Sequence, residues 1–313
     1  MIVTSYQLRV TAKNALTQDV VALELRPLDT SALPRWSPGA HVTLHLGTFS
    51  REYSLCGPNG DKVNIWKIAV KRCPDGRGGS AYVHDDLELG STVIVSGPNN
   101  HFELEQADEY LFVAGGIGIT PILPMIERVD RLGHDWKLLY LGRETADMPF
   151  HDELVSRYGD RVQVHTSHGA GRFDLQKLMA RVAPQTSVYC CGPESLMSEL
   201  ETLCEDRNVD VHVERFSPKV VDRDFEPFFV EVAGSDVGLH VPADCSMLDV
   251  LLDADLDIMS SCEEGTCGTC EVRVLSGLPD HRDSVLTKVE QARNDRMLPC
   301  VSRSRTSKLV IEL

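Results

Sequence analysis

Cys262, Cys267 and Cys270 form a C-x4-C-x2-C run, and Cys300 follows farther along the chain. Three thiols so close together must share one loop around a common ligand, with a distant segment supplying the fourth. This is the ligand spacing of a plant-type [2Fe–2S] cluster, a carrier of single electrons. Gly265 and Gly268 suit such a loop, because glycine lets the backbone bend closely and aim amides at sulfur. A structural zinc site is the competing reading. Zinc modules usually pair their ligands as two short C-x2-4-C units, so the spacing favours iron and sulfide.

The chain has ten cysteines in 313 residues. Its first ten residues, Met1 to Val10, lack a basic region, an apolar stretch and a small-residue cleavage site, so a cytoplasmic location is expected. Thiols stay reduced there, and Cys56, Cys73, Cys190, Cys191, Cys204 and Cys245 are expected to be buried small hydrophobes. No apolar run approaches the roughly 18 residues of a membrane span. The length predicts two or three domains of about 100 to 150 residues each. A net charge of −16 excludes nucleic acid as a partner, since phosphate binding requires concentrated Lys and Arg. From Asp224 through Val272 there are twelve Asp or Glu and no Lys or Arg. That stretch reads equally as a solvated face or as a steering surface for a basic partner.

Strand-like alternation at Tyr6–Thr11, Val20–Leu25, His41–Leu46, Arg51–Leu55, Val63–Val70 and Thr92–Val95 predicts an antiparallel β-barrel. From Tyr110 the pattern becomes apolar strand then helical period: Tyr110–Ala114 and Pro121–Leu132, Lys137–Leu141 and Asp152–Tyr158, Val162–Thr166 and Leu175–Val182, Ser187–Cys191 and Leu196–Arg207. This alternation predicts an α/β domain with a parallel sheet. After Val209–Phe216, residues 217–226 read as a linker, and Pro227–Ala233 with Gly238–Val241 predict a hairpin. The expected domains are 1–105, 106–222 and 223–313.

Arg51-Glu52-Tyr53-Ser54 has the R-x-Y-S form found where an isoalloxazine lies against a barrel strand. Alternation puts Arg51 and Tyr53 on one face for phosphate and ring, while Ser54 offers a hydrogen bond. Gly76-Arg77-Gly78-Gly79-Ser80 precedes a predicted helix, Ala81–Leu87. There Gly78 and Gly79 allow close approach, Ser80 is the expected cap, and the helix N-terminus favours a phosphate. An ordinary Gly-rich turn is the bland alternative, and the two motifs together favour flavin phosphate. In Ala114-Gly115-Gly116-Ile117-Gly118-Ile119-Thr120-Pro121, the turn from strand to helix suits a pyrophosphate, with Thr120 the expected N-cap and Pro121 the first helical residue. Gly115, Gly116, Gly118 and Thr120 are its candidate contacts. A second turn, Cys191-Gly192-Pro193, falls where open parallel sheets bind ligands. Cys191 reads either as filler or as a wall of the nicotinamide pocket.

Taken together and in this order, these motifs resemble the phthalate dioxygenase reductase and vanillate O-demethylase reductase family over the whole length. The resemblance implies an FMN barrel, an NADH-binding domain and a C-terminal α+β plant-type ferredoxin of the β-grasp kind. It implies that Arg51, Tyr53, Ser54, Gly79 and Ser80 bind FMN, that Gly116, Gly118, Thr120 and Cys191 meet the nicotinamide cofactor, and that Phe216 covers the flavin ring until nicotinamide displaces it. A buried core Phe is the other reading of that position.

Nicotinamide gives up two electrons as hydride, a [2Fe–2S] cluster accepts one, and flavin can hold either number. The expected activity is therefore electron transfer from NADH through FMN and [2Fe–2S] to a separate Rieske-type oxygenase acting on an aromatic acid. The alternatives are a carnitine-type quaternary-amine oxygenase as partner, or a redox sensor that needs no hydride entry. An ordinary plant-type potential near −400 mV would be poorly matched to NADH, so amides around Gly265–Thr269 are expected to raise it. Adenosine ribose is read near Leu141-Gly142-Arg143-Glu144-Thr145. There Arg143 is the candidate partner of a 2′-phosphate, Glu144 opposes it, and NADH is expected. His151, His165, His168 and His212 make no metal-spaced cluster, and Gly277, Pro279 and His281 fall in a predicted surface loop.

Overall fold

Alternating apolar residues at the start of the chain bury one face of each strand. In β1 (Ser5–Ala15) Leu8 and Val10 are buried while Gln7, Arg9 and Thr11 are exposed. In the computed structural model, which describes residues 4–47, 49–58, 64–74, 76–217, 225–235 and 237–313, β1 is followed by β2 (Val20–Pro27), β3 (His41–Leu46), β4 (Phe49–Ser54), β5 (Trp66–Lys71) and β6 (Thr92–Asn99). They form one antiparallel sheet in the order β4-β3-β6-β1-β2-β5. Its edges meet where Leu55 bridges Ile68 and the Cys56 amide donates to the Lys67 carbonyl, so the sheet curls on itself as a half-barrel. Val42, Leu44, Trp66, Ile68 and Val95 fill it. Helix α1 (Gly79–Asp85) contributes Val83 to the same core. Truncating Leu44, Trp66 or Ile68 to Ala would cost about 2–5 kcal/mol.

The second architecture alternates β7 (Glu109–Gly115), α2 (Ile119–Leu132), β8 (Asp135–Gly142), α3 (His151–Tyr158), β9 (Val162–Thr166), a short kinked α4 (Ser167–Ala170), α5 (Leu175–Met179), β10 (Thr186–Cys191), α6 (Glu194–Arg207) and β11 (Val211–Glu214). Every residue of β10 is buried, as a strand covered on both faces requires. One face packs Phe112, Tyr140 and Tyr189 under α2 and α3, and the other packs Val113, Cys190 and Leu200 under α5 and α6. The sheet order is β11-β10-β7-β8-β9, all parallel. Strand order therefore reverses between β7 and β10, which opens a crevice at their carboxyl ends.

The chain divides into two compact units, Met1–Glu214 and Arg215–Leu313. The barrel and the parallel sheet share the first, because Val20, Cys56 and Ala69 of the barrel pack with Ile117, Leu123 and Phe150. Most of the expected linker, 218–224, lies outside the described residues, as does Val63 at the start of the expected fifth strand.

The second unit has β12 (Phe228–Val232), β13 (Gly238–Val241), α7 (Met247–Asp253), β14 (Val272–Ser276), β15 (Pro279–Asp280), α8 (Lys288–Arg293), β16 (Arg296–Met297), β17 (Arg303–Ser304) and β18 (Lys308–Glu312). β12 and β13 form the expected hairpin, β12 runs parallel to β18, and the sheet order is β13-β12-β18-β14-β16. Ser246 and Asp249 cap α7 reciprocally, and Met247 and Leu251 pack on Val230, Val272 and Ile311, giving the β-grasp arrangement.

Three sequence expectations are corrected. Cys73 and Cys245 are exposed, since each sits in a connection beyond the strand alternation. The segment around Pro279 and His281 is no surface loop: β15 pairs with β17, and the His281 side chain is only 4% exposed. Neither Ser80 nor Thr120 is an N-cap. The Ser80 hydroxyl accepts from the Cys73 amide, the Thr120 hydroxyl donates to the Ile117 carbonyl, and the helices begin after Gly78 and Gly118, with Pro121 inside α2.

Candidate functional site

β4 carries Arg51, Tyr53 and Ser54, and α1 starts beside it. A Cβ on Gly79 would lie 2.6 Å from Arg51 Cγ, so the missing side chain is what lets the turn approach the strand. Arg51 donates to the Ser50 carbonyl at 2.8 Å and to the Arg77 carbonyl at 3.3 Å, which brings its guanidinium to the turn before α1. The first amides of α1 have no partner within the helix, so a cation and free N–H groups stand together as a phosphate requires. Tyr53 packs against the barrel core and burial raises its phenol well above the ordinary value, leaving it a neutral ring.

At the crevice between β7 and β10 the two glycine turns meet backbone to backbone. A Cβ on Gly118 would lie 2.2 Å from the Cys191 carbonyl oxygen, and one on Gly115 would lie 2.6 Å from Pro193 Cδ. Gly116, with φ of 56°, completes the bend into the short turn before α2. Gly192 packs on Gly115 in the same way. Gly115, Gly116, Gly118, Thr120, Cys191, Gly192 and Pro193 are therefore one locus. Cys191 is fully buried, and burial with Glu214 and Cys190 beside it raises its thiol well above the usual range. Such a thiol is neutral at physiological pH and presents an apolar surface, not a thiolate.

Glu214 is the residue that sequence reasoning missed. It ends β11, pairs in register with Cys191, and accepts a 3.4 Å hydrogen bond from the Ser54 hydroxyl. Burial pushes its carboxyl up to about 8, with Glu52 adding to the rise and the Ser54 hydroxyl opposing it. The expected flavin strand and nicotinamide turn are thus joined through the carboxyl group of one half-buried residue. Its sequence signal was weak, a lone acid before Arg215. Two residues on, Phe216 is 45% exposed, which rules out the core reading.

Arg143 and Glu144 are exposed at the end of β8. Glu144 Oε1 meets His168 Nδ1 at 2.5 Å, and the His168 amide donates to the Arg143 carbonyl, so the loops after β8 and β9 are tied together. Glu105, Asp210 and His212 come within ligand reach of one another at the surface, and His212 there pairs with Asp210 at 2.8 Å.

In the second unit Cys262, Cys267, Cys270 and Cys300 are all buried. The amides of Glu264 and Thr269 donate to the sulfurs of Cys262 and Cys267 at 3.3 and 3.4 Å. The first lies one residue before the expected window of donors. Glu263, Gly265 and Gly268 all have positive φ, and a Cβ on Gly265 would meet Val301 Cγ2 at 2.4 Å, so the loop closes tightly on the Cys300 segment. A thiol–thiol contact with Cys267 lowers the Cys262 thiol to about 4, and a contact with Cys300 lowers Cys270 while Cys300 rises. Four converging soft donors with amides aimed at sulfur fit a [2Fe–2S] cluster.

Residues 230–305 match the family described as 2Fe-2S iron-sulfur cluster binding domain. The chain is 38% identical over 299 residues to phenoxybenzoate dioxygenase subunit beta of Ectopseudomonas oleovorans, covering 94% of this chain and 93% of that protein. It is 37% identical over 315 residues to phthalate dioxygenase reductase of Burkholderia cepacia, covering 98% and 97%. The crystal structure of a phthalate dioxygenase reductase matches with a TM-score of 0.72 and 36% identity over 99% of this chain and 98% of that one. An intact type IV self-sufficient cytochrome P450 monooxygenase matches with a TM-score of 0.92 and 39% identity over 99% of this chain, which spans 41% of that protein.

Proposed function

The chain belongs to the family of phthalate dioxygenase reductases and vanillate O-demethylase reductases, flavin and [2Fe–2S] oxidoreductases, and on that premise we propose that it passes electrons from NADH through FMN to its [2Fe–2S] centre and on to a separate Rieske-type oxygenase. The observation that carries this reading is the Ser54–Glu214 contact, with Cys191 next to Glu214 across the sheet. It gathers the flavin strand and the nicotinamide turn at one point, as hydride transfer between two rings requires.

Flavin, when bound, supplies the conversion of a two-electron hydride into single electrons. Arg51, Gly79 and the start of α1 hold its phosphate, Tyr53 flanks the ring, and Ser54 offers its hydroxyl to the ring edge. FMN is favoured over a dinucleotide because Arg51 and the Gly78–Ser80 turn form a terminal phosphate site on the barrel itself. Gly116, Gly118 and Thr120 place the pyrophosphate, and the buried Cys191 side chain excludes water from the nicotinamide. The neutral Glu214 carboxyl keeps Ser54 oriented without adding negative charge beside an incoming hydride. Phe216, exposed two residues after Glu214, would be the residue that covers the flavin ring when nicotinamide is absent. The working modules are 1–105, 106–222 and 223–313.

The oxygenase partner is the terminal acceptor, and an aromatic acid is the substrate class favoured by the relatives' names, one a phthalate enzyme and one a phenoxybenzoate enzyme. A haem acceptor is the second reading, motivated by the fused cytochrome P450. Anaerobic titration with NADH tests the relay. Flavin and iron–sulfur absorption should bleach with about three electrons, two for flavin and one for the cluster. A cluster that stays oxidised, or a spectrum without flavin, would overturn the proposal.

A further inference from the structure

In the second unit two guanidinium groups, the buried Arg282 and the exposed Arg305, approach the buried Asp280 carboxylate. Arg282 pairs with Asp280 at 2.8 Å, and Arg305 approaches the same carboxylate at 3.6 Å. Arg303 is placed differently. It is 4% exposed, and its guanidinium donates to the carbonyls of Cys245 at 2.8 Å, Glu226 at 3.0 Å and Pro242 at 2.7 Å. Phe225 and Phe228 flank it, with ring centroids 5.5 and 5.2 Å away. The remaining buried carboxylate nearby, Asp283, accepts from the amides of Val285 and Leu286 and from the Ser302 hydroxyl, and lies 3.8 Å from His281. Arg303 is thus a buried cation whose hydrogen-bond acceptors are carbonyls, while Asp280 acts on it only through space and is shared with Arg282 and Arg305.

Arginine keeps its charge in a protein interior, and a buried charge is costly unless something opposite balances it. Carbonyl dipoles orient the guanidinium and only partly offset it. Arg303 and the ligand Cys300 both line one cavity of about 370 Å³, together with Phe225, Cys245 and Arg282. Four thiolates around two irons and two sulfides carry net negative charge, and reduction adds one more. A fixed cation on that cavity wall stabilises the reduced state more than the oxidised state.

We infer that Arg303 is a positioning and charge-balancing residue that raises the reduction potential of the centre held by Cys262, Cys267, Cys270 and Cys300. This rests on the cluster assignment and adds a second source of tuning to the amides of Glu264 and Thr269. In this fold the amides act on the sulfurs of the ligand loop, whereas Arg303 acts from the Cys300 side.

The test is the midpoint potential of the cluster in the full-length protein, followed by electron paramagnetic resonance during a redox titration, with iron and sulfide content measured alongside. R303Q should load iron and sulfide as the wild type does and move the midpoint to a more negative value. R303K, which keeps the charge but makes fewer carbonyl contacts, should keep the midpoint near the wild-type value even where its melting temperature falls. An unchanged midpoint in loaded R303Q overturns the inference, and so does a negative shift in R303K, which would assign the effect to the clamp and not to the charge. Should R303Q fail to load, R303M, which keeps the length and apolar contacts of the side chain without its charge, is read by the same criterion. Absence of iron and sulfide in the wild type would instead be a failure of the cluster assignment.

Discussion

The Ser54 hydroxyl, at the end of a barrel strand, donates to Glu214, at the end of the last strand of the parallel sheet. Desolvation pushes that carboxyl up to about 8, well above the usual carboxylate range, with Glu52 adding to the rise. A folded value above the unfolded one means that folding takes up a proton. The stability this gives is complete below the unfolded value and is lost as pH rises through about 8. Thermal melts of flavin-free protein from pH 6 to 9.5 should show wild-type stability falling across that window. E214Q should lack this component, and a parallel fall in both proteins would refute the assignment. S54A should slow NADH-driven flavin reduction about tenfold, the worth of one hydrogen bond, in stopped-flow traces.

Gly118 and Gly79 separate two kinds of close approach. A methyl on Gly118 would meet the Cys191 carbonyl, which is backbone and cannot move without shifting β10. G118A should cost about 1–3 kcal/mol in denaturant unfolding and raise KM for NADH. At Gly79 the obstacle is Arg51 Cγ, near the root of a side chain whose guanidinium is held by two carbonyls. G79A should cost about 1–3 kcal/mol and weaken flavin retention in equilibrium dialysis, because it displaces the guanidinium proposed to meet the phosphate.

The barrel and the parallel sheet were legible because each signal is local: alternation at Leu8 and Val10, and continuous burial through Cys190 and Cys191. The cluster was legible for the same reason, since three ligands share a loop. The helix starts at Gly78 and Gly118 were misread, because Ser80 and Thr120 are capping residue types whose hydroxyls are engaged elsewhere. Glu214 could not be found from sequence. Its burial and its partner Ser54 depend on a strand 160 residues away, and an acid at a strand end ordinarily faces solvent.

Glu144 and His168 bear on nucleotide choice. Their pairing engages the carboxylate that follows Arg143 in sequence, at the end of the second strand of the parallel sheet, the expected place for the ribose. A fixed carboxylate accepts from ribose hydroxyls and repels a 2′-phosphate. E144Q should narrow the NADH-to-NADPH ratio of kcat/KM by about tenfold, or ~1.4 kcal/mol, mainly by improving NADPH. H168A should do so less, because the pair is exposed and weak on its own. A wild-type preference for NADPH would show that Arg143 dominates instead.

Cys262 receives an amide hydrogen bond from Glu264 and touches Cys267, so its loss removes a ligand and a partner of the loop together. C262S should abolish the reduced-cluster resonance. The proposed hydride site, Ser54, Cys191 and Glu214, belongs to the other unit, so NADH oxidation with ferricyanide as acceptor should persist while electron delivery to the oxygenase falls to background. That separation identifies a conducting cluster, because a sensing cluster would leave no oxygenase support to lose and a zinc site would show no resonance in the wild type. Loss of ferricyanide reduction in step with oxygenase support would mean that the flavin has no outlet except through the cluster, and would defeat the division of labour between the two units.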